Sequence, residues 1–218
     1  NEKRLGIDSD LSEGNKYYIR NITWVGNSVY DTEKLQNMFG VHPGDTYDKK
    51  TMHKRLGIGR EENPEDMSVK SLYQNEGYLM SQIDPSEIII GADSINLEIK
   101  IFEGRPFTIN EVSISGNNRI DDEIIRRELY TRPGELYNRA LLMQTIRTLN
   151  AMGHFNAESI MPDIRPVPTS NELVDIGWPL EETASDQFNI AGGWGSGTFV
   201  GSVGITLNNL SLKNFFKK

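Results

Sequence analysis

One pattern of hydrophobic and polar residues occurs twice in this chain. Residues 22–33 and 112–123 align without a gap at an offset of 90, and each contains an alternating apolar run, a Gly-Asn pair and an acidic segment. The alternating run predicts a half-buried strand, and Gly26-Asn27 or Gly116-Asn117 predicts a turn that tolerates positive φ. Because such a repeat is one structural unit, the fold should be derived unit by unit.

Two helices are predicted after the first strand of each unit. Asp31 or Thr32 can cap the first helix of the first unit, and Asp121 can cap its counterpart in the second. Pro43-Gly44 and Pro133-Gly134, again at an offset of 90, end these helices and lead into the second pair. Each second helix is expected to end at a glycine that an aromatic residue follows closely.

The end of the second helix indicates an insertion in the first unit. Gly77 and Gly153 match each other at an offset of 76, so the first unit carries 14 additional residues. Residues 57–70 contain two glycines and a proline, which are poor residues for a helix interior. We therefore place the insertion there and expect this helix to stop and restart around a loop.

Two more strands complete each unit. The run 95–101 alternates apolar and polar residues without proline, which predicts a central strand. Pro85 and Pro162 lie in or beside the preceding strands, which are therefore expected at sheet edges. The predicted strands are residues 79–83, 95–101, 157–164 and 173–178. Each unit is then a β-α-α-β-β module of the α+β class, with two helices on one face of a three-stranded sheet.

Residues 184–218 differ in composition from the rest of the chain and are rich in glycine, serine and apolar residues. From 188 to 194 and from 199 to 207, apolar residues and glycine alternate with small or polar ones, and Gly195-Ser196-Gly197 joins the two runs. Two strands of about ten residues, apolar on one side, are typical of transmembrane β-strands. A glycine-rich hairpin of a soluble protein fits the same pattern, so both alternatives stay open.

Composition narrows the possible partners. The chain has 218 residues, enough for two small domains, and a net charge of −8 from 23 basic and 31 acidic residues. This charge disfavours nucleic acid and anionic membrane surfaces as main partners. The absence of cysteine excludes disulfides and thiolate metal sites, and leaves cytosol and bacterial periplasm both open. No apolar run approaches the roughly 20 residues of a membrane-spanning helix.

The sequence contains none of the common patterns of catalytic or metal-binding residues. His42, His53 and His154 are scattered and lack metal-ligand spacing, and the acidic residues 61–66 lack the glycine and alternating oxygens of a calcium loop. The glycine-rich residues 192–195 lack the Lys-Ser/Thr pair of a phosphate loop, and no Gly-x-Ser-x-Gly motif occurs. We therefore expect no enzyme, no cofactor and no metal.

The repeat resembles the polypeptide-transport-associated (POTRA) domain. The resemblance rests on Gly26-Asn27 and Gly116-Asn117, on the Pro-Gly-x-x-Tyr motif before the second helix, and on the glycine and aromatic residue after it. POTRA units that run directly into amphipathic β-strands resemble the BamA family of outer-membrane protein assembly factors. The resemblance implies a linker or the tail of a preceding unit at 1–16, a penultimate POTRA domain at 17–104, the last POTRA domain at 105–183 and the start of a β-barrel at 184–218.

The resemblance also implies a function. The chain is expected to be the periplasmic part of an assembly factor at the bacterial outer membrane, which receives unfolded β-barrel proteins and passes them to a barrel for insertion. Periplasmic lipoproteins are further implied partners, with Arg126, Arg127 and Glu128 as candidate contacts, although an ordinary solvated helix face is the alternative there. The competing assignments are a two-partner secretion translocator and a soluble POTRA scaffold module.

Backbone groups at the sheet edges are the candidate binding site. An exposed edge strand offers unpaired N–H and C=O groups to an extended peptide. We therefore predict that the two edge strands bind substrate peptides by strand addition. The candidate residues are Leu79, Met80, Ser81, Gln82, Ile83, Ala157, Glu158, Ser159 and Ile160. An edge that is merely solvated, or covered by a neighbouring unit, is the alternative.

Overall fold

The structure is a computed structural model that describes residues 16–59, 67–183, 187–195 and 197–206. The chain forms two compact units. Among the described residues, the first unit contains those up to Tyr73 together with Met80–Gly104, and the second contains Gln74–Leu79 and those after Gly104. Each unit holds one complete three-stranded sheet.

Three strands and three helices make up the described part of the first unit. In chain order they are β1 (Tyr18–Val25), α1 (Thr32–Phe39), α2 (Lys49–Leu56), α3 (Val69–Gln74), β2 (Gln82–Ile90) and β3 (Ser94–Phe102). The strand order is β1-β3-β2, with β1 parallel and β2 antiparallel to the central β3. The predicted order and central strand are confirmed, and the second helix is interrupted between α2 and α3. Residues 60–66 of the predicted insertion lie outside the described residues.

The second unit repeats this topology with one continuous second helix. Its elements are β4 (Thr108–Ser115), α4 (Asp122–Glu128), α5 (Arg139–Met152), a 3-10 turn (Ala157–Ser159), β5 (Asp163–Pro166) and β6 (Leu173–Pro179). The strand order is β4-β6-β5, with β6 in the centre. The buried core of this unit includes Val174, Ile176 and Trp178 of β6 with Ile125 and Leu149 of the helices.

The helices cover one face of each sheet, here called the helix side; the other face is called the open side. Along β3 every second residue is buried against the helices. These residues are Ile95, Leu97, Ile99 and Ile101, each at most 4% exposed. Trp24 of β1 packs edge-on against Phe39 of α1 with 5.7 Å between ring centroids. Burial of side chains of this size contributes about 1.5–3 kcal/mol each, which makes this face the core of the unit.

A glycine with positive φ follows the first strand of each unit. The φ angle is +86° at Gly26 and +85° at Gly116. A Cβ atom on Gly26 would lie 2.4 Å from the carbonyl oxygen of Ile101, and one on Gly116 would lie 1.9 Å from that of Leu180. The next asparagine donates to the carbonyl three residues further on, at 2.9 Å in the first unit and 3.1 Å in the second. The repeated Gly-Asn pair therefore has a structural role in each turn.

The first helices of the two units begin differently. The Asp31 carboxylate accepts a hydrogen bond from the backbone N–H of Lys34 at 2.7 Å, which confirms Asp31 as the cap of α1. Asp121 holds the equivalent position before α4, but its side chain makes no capping hydrogen bond. Asp121 therefore lies at the predicted capping position, but it does not make the predicted capping hydrogen bond.

The C-terminal segment contains a two-stranded antiparallel sheet of β7 (Gln187–Gly195) and β8 (Thr198–Thr206). The predicted pair of strands is confirmed, while residues 184–186, 196 and 207–218 lie outside the described residues. Ile190, Trp194 and Val203 on these strands are 72%, 77% and 66% exposed. The membrane assignment of this hairpin stays a prediction. Across the described ranges, no helix has the length and apolar character needed to cross a membrane.

Candidate functional site

The outer edge of β2 is a nine-residue stretch of strand at the border of the first sheet. Among the described residues, no strand pairs with its outer side. The confirmed edge position gives this strand one row of backbone groups that the sheet does not use.

The hydrogen bonds of β3 show which backbone groups of β2 point outward. The carbonyl of Asp93, just before β3, accepts from the N–H of Tyr18 in β1 at 2.8 Å. The carbonyl of Ile101 likewise points to the β1 side, toward Gly26. Successive strand residues direct their backbone groups to opposite neighbours, so the odd-numbered residues of β3 face β1 and the even-numbered ones bond to β2.

The odd-numbered residues of β2 lie opposite odd-numbered residues of β3. These opposed residues therefore make no backbone hydrogen bonds with each other. Pro85, opposite Ile99, is one of them, so its missing N–H removes no bond from the sheet. The N–H and C=O groups of Ile83, Glu87 and Ile89 point away from β3. These three residues, with the carbonyl of Pro85, form the outward row of hydrogen-bonding groups.

The edges of β1 and β4 are partly covered by their own units. The N–H of Ile19 donates to Asp45 at 2.9 Å, and the N–H of Gly44 donates to Ile19 at 2.7 Å. Ile109 makes the equivalent bonds with Glu135 and Gly134 at 2.8 and 2.7 Å. The Pro-Gly turn thus pairs with the start of each first strand, which leaves β2 and β5 as the more open edges.

The edge of β5 is much shorter than that of β2. This strand has four residues and ends at Pro166. The N–H of Val167 donates to the carbonyl of Leu173 at 3.0 Å, so the residues of β5 that face β6 are Asp163 and Arg165. Within β5, Ile164 alone directs both its N–H and its C=O outward. The second unit therefore offers little edge for strand addition.

Most of the predicted peptide-binding residues lie outside the edge strands. In the first unit Leu79, Met80 and Ser81 precede β2, and Gln82 and Ile83 are its first two residues. The predicted end of this strand near Pro85 is wrong, because a proline whose N–H would point outward does not end an edge strand. The strand continues through Pro85 to Ile90.

In the second unit the predicted edge strand is wrong at Ala157, Glu158, Ser159 and Ile160. Ala157, Glu158 and Ser159 form the 3-10 turn, which Asn156 caps by accepting from the N–H of Glu158 at 3.2 Å. Ile160 is 1% exposed and belongs to the hydrophobic core. Its backbone is therefore not presented as an edge.

The run from Glu87 to Ile90 belongs to β2 but is not predicted as strand from the sequence. Three consecutive isoleucines follow Glu87, and a run without period two gives no clear strand signal. In the structure Ile88 and Ile90 lie on the open side, opposite Asn96 and Ser94 of β3. Ile88 is 49% exposed and Ile89, on the helix side, is 61% exposed. The end of β2 therefore exposes apolar side chains beside the outward row of hydrogen-bonding groups.

A charged pair joins this edge to α2. The Lys49 ammonium lies 3.3 Å from the Glu87 carboxylate, and the Glu87 side chain is 27% exposed. Partial burial opposes ionisation of Glu87, but interactions with Tyr47 and Lys49 outweigh it and lower its pKa. Burial and the nearby Glu87 raise the pKa of Tyr47. Glu87 is therefore ionised at neutral pH and faces the helix side of the edge.

The candidate lipoprotein contacts lie on α4. Arg126 pairs with Asp122 at 2.5 Å and donates to the carbonyl of Val112 at 3.1 Å. Arg127 is exposed and Glu128 is half-buried. The structure brings these residues together on one short helix, and their contact with a partner stays a prediction.

Within the ranges that the structure describes, no group of three or more His, Cys, Asp or Glu side chains is arranged to hold a metal ion. The candidate site is the edge of β2, formed by backbone groups, apolar side chains and one ion pair.

The described part of the chain thus holds two α+β modules in tandem, each with helices on one face of a three-stranded sheet. The POTRA family, described as the surface antigen variable number repeat, matches residues 17–104 and 107–177. The chain belongs to the POTRA family.

Several known proteins with similar sequences are named outer membrane protein assembly factors. The chain is 25% identical over 208 residues to the outer membrane protein assembly factor BamA of Neisseria meningitidis serogroup B, an alignment that covers 94% of this chain and 24% of that protein. The chain spans about a quarter of the length of the curated relatives it matches. The predicted resemblance to BamA proteins is confirmed.

Solved structures share the fold. BamA POTRA3-5 of Haemophilus influenzae matches with a TM-score of 0.64 at 20% identity, covering 76% of this chain and 61% of that one. BamA of Haemophilus ducreyi lacking POTRA domains 1-3 matches with a TM-score of 0.62 at 20% identity, covering 87% and 34%.

Proposed function

We propose that this chain takes part in outer-membrane protein assembly as the POTRA region of a longer assembly factor. Family membership and the similarity to BamA proteins over nearly the whole chain support the proposal. In this role the chain lies in the periplasm and receives unfolded β-barrel proteins, and periplasmic lipoproteins of the assembly complex are its further partners. The hairpin β7–β8 continues into a barrel in the outer membrane. An isolated two-stranded sheet with exposed apolar residues is marginally stable in water, which favours further strands beside it.

The edge of β2 is the proposed binding site for unfolded substrate. The observation that carries this assignment is the outward row of Ile83, Glu87 and Ile89 on a nine-residue edge. Each main-chain hydrogen bond contributes about 1 kcal/mol net, so a few such bonds give weak binding that tolerates many sequences. Such binding suits a carrier that must release its cargo.

Substitution of Ile89 separates the backbone contribution from that of the side chain. Ile89→Pro removes an outward N–H that β3 does not use, and proline is compatible with an edge strand. We expect it to weaken the binding of extended peptides from an unfolded outer-membrane protein about five-fold, measured by titration calorimetry. Ile89→Ala keeps the N–H and serves as the matched control.

Circular dichroism must show that both variants are folded. Equal affinities of the proline and alanine variants would contradict strand addition at β2.

A further inference from the structure

The segment Gln74–Leu79 starts at the last residue of α3 and runs toward β2, yet it belongs to the second unit. The chain passes from the first unit to the second after Tyr73, returns at Met80 and passes to the second unit again after Gly104. Gln74–Leu79, here called the strap, is therefore a piece of the second unit that is covalently joined to the first at both ends. A change in the first unit can act on the second through these two joints.

The strap caps the long helix of the second unit. The Asn75 Oδ1 atom accepts from the backbone N–H of Ala140, the second residue of α5, at 2.9 Å. Asn138, which precedes the helix, accepts from the N–H of Leu141 at 3.0 Å, and its Nδ2 donates to the Asn75 carbonyl at 2.7 Å. The first N–H groups of a helix have no partner within the helix. In α5 two asparagines satisfy two of these groups, and one of the asparagines lies in the strap.

The first unit caps its equivalent helix without such a strap. Asp48 holds the position of Asn138 at an offset of 90, and one of its carboxylate oxygens accepts from the N–H groups of Lys50 and Thr51 at 3.0 and 3.4 Å. An asparagine has a single acceptor oxygen and an NH₂ group that needs an acceptor of its own. Because Asn138 replaces the carboxylate in the second unit, the strap supplies both the missing acceptor and the partner of the NH₂ group.

Further contacts hold the strap in the second unit. The Gly77 carbonyl accepts from the N–H of Phe107 at 2.8 Å, and a Cβ atom on Gly77 would lie 3.2 Å from the Cβ atom of Pro106. Leu79 packs against the hydrophobic core of this unit. The strap is thus fixed from Asn75 to Leu79, and these contacts hold Asn75 at the start of α5.

Both joints of the strap lead directly into elements of the first unit. Tyr73, one residue before the strap, is fully buried, and its hydroxyl donates to the Glu103 carboxylate at 2.9 Å. After the strap, Met80 and Ser81 lead into β2, which begins at Gln82. The helix α3 has six residues and gains little stability by itself. Local opening of α3 or β2 would therefore release one end of the strap.

We propose that the strap couples the two units. Local opening of α3 and β2 in the first unit removes the Asn75 cap from α5 in the second, and a guest strand on β2 keeps this cap in place. Proteins open locally in cooperative segments, and a ligand that binds only the closed form shifts the equilibrium toward that form. The coupling itself goes beyond the proposed function. The effect of the guest rests on that function, since it requires a strand at β2.

Hydrogen exchange of single amides, measured by NMR on the full chain, tests the coupling. The N–H of Ala140 depends on the strap, whereas that of Leu141 depends on Asn138 and serves as an internal control. Tyr73→Phe removes one hydrogen bond from α3. We expect it to accelerate exchange about five-fold at Ala140 and less than about two-fold at Leu141. An unchanged rate at Ala140, or equal acceleration at both amides, would overturn the coupling through the strap.

A substitution elsewhere in the first unit is the matched control. Asp31→Ala removes the cap of α1, which is not joined to the strap. It should leave exchange at Ala140 within about two-fold of the native rate, because α1 opens separately from α3. An effect as large as that of Tyr73→Phe would overturn the route through α3.

Variants of Asn75 test the cap directly. Asn75→Ala removes the acceptor of the Ala140 N–H and should accelerate its exchange about five-fold. Tyr73→Phe should then add little, because the cap is already absent. Asn75→Asp keeps an acceptor oxygen and should retain slow exchange. Fully additive effects of Asn75→Ala and Tyr73→Phe would show that the strap is not the connection.

A peptide from an unfolded outer-membrane protein tests the effect of the guest. At saturation it should slow exchange at Ala140 about five-fold in the native chain and have no effect in Asn75→Ala. If calorimetry shows binding and Ala140 does not respond, the effect of the guest is overturned and the proposed function stands. If no peptide binds, the proposed function fails together with the effect of the guest, whereas the response to Tyr73→Phe decides the coupling by itself.

Discussion

In each unit a glutamate that follows the central strand accepts hydrogen bonds from the turn after the first strand. The two units differ in how deeply this glutamate is buried. In the first unit the Glu103 carboxylate accepts from two backbone N–H groups of the turn at 2.8 and 2.9 Å and from the Tyr73 hydroxyl at 2.9 Å. In the second unit Glu182 accepts from two N–H groups of the turn at 2.9 and 2.8 Å. Glu103 is 9% exposed, whereas Glu182 is only half-buried. The same type of contact is therefore more deeply buried in the first unit.

The residue on the last helix explains this difference. Tyr73 of α3 and Leu149 of α5 are equivalent at the offset of 76, and both are fully buried, but leucine has no hydrogen-bond donor. The helix α3 has six residues and α5 has fourteen. Because short helices gain little stability by themselves, α3 depends more on tertiary contacts. The hydroxyl of Tyr73 thus adds a hydrogen bond from α3 to Glu103, whereas Leu149 of α5 adds none to Glu182.

The largest expected effect concerns the feature that the two units share. Gly116→Ala and Gly26→Ala both place a methyl group against a backbone carbonyl at positive φ. Strain at such a φ and overpacking each cost about 1–3 kcal/mol, so we expect a loss of about 4 kcal/mol for Gly116→Ala and slightly less for Gly26→Ala. Urea unfolding followed by hydrogen exchange on peptides of each unit measures the two losses separately.

Gly134→Ala and Gly44→Ala are the matched controls. These glycines also have positive φ, but a Cβ atom there meets nothing within 4 Å. We expect losses of about 1 kcal/mol from backbone strain alone. If the controls lose as much as Gly116→Ala, close approach of the central strand is not the cause.

The second prediction tests the difference between the units. Glu103→Ala leaves four donors without their acceptor, namely the N–H and the hydroxyl of Ser28, the N–H of Val29 and the hydroxyl of Tyr73. It should cost about 3 kcal/mol, whereas Glu182→Ala should cost about 1 kcal/mol. The same exchange measurement in urea reports each value. Tyr73→Phe should remove part of the Glu103 effect, since it deletes one of the four donors. Equal losses at Glu103 and Glu182 would contradict the role assigned to Tyr73.

The contribution of Glu103 should also depend on pH. Burial opposes ionisation, but hydrogen bonds from Ser28, Val29 and Tyr73 outweigh it and lower the pKa of Glu103 below that of the unfolded chain. Its stabilisation is therefore complete above the unfolded pKa of about 4.3 and is lost as the pH falls through the lower folded value. We expect the stability difference between the native protein and Glu103→Gln to shrink below about pH 4. A difference that grows on acidification would contradict this sign.

Local patterns predicted the repeat and its order but not the contacts between distant segments. The offset of 90 identified the turns, and the offset of 76 located the interrupted helix. The bond from the turn at Ser28 to Glu103 joins residues 75 apart, which no period can reveal. The predicted edge strand ends too early, at Ile83. Pro85 is compatible with the strand because its missing N–H would point outward, and this direction depends on the register with β3. Residues Ala157–Ser159 form a 3-10 turn that the Asn156 side chain caps. The alternation of polar and apolar residues does not predict this turn.

The smallest expected effect compares the caps of α1 and α4. Asp31→Ala removes a hydrogen bond of 2.7 Å to the N–H of Lys34 and should destabilise the first unit by about 1 kcal/mol. Asp121 makes no such bond, so Asp121→Ala should cost only the interaction of its charge with the helix dipole, about 0.3 kcal/mol.

Replacement by asparagine and added salt separate the two contributions. Asp31→Asn keeps an acceptor for the Lys34 N–H and should recover most of the loss at any salt concentration. The small loss at Asp121 should fall as salt screens the helix dipole, because no directed hydrogen bond contributes there. Urea unfolding at low and high ionic strength measures both. A loss at Asp121 as large as that at Asp31, unchanged by salt, would show that the two equivalent helices begin with the same cap, and the comparison between the units would then rest on Glu103 and Tyr73 alone.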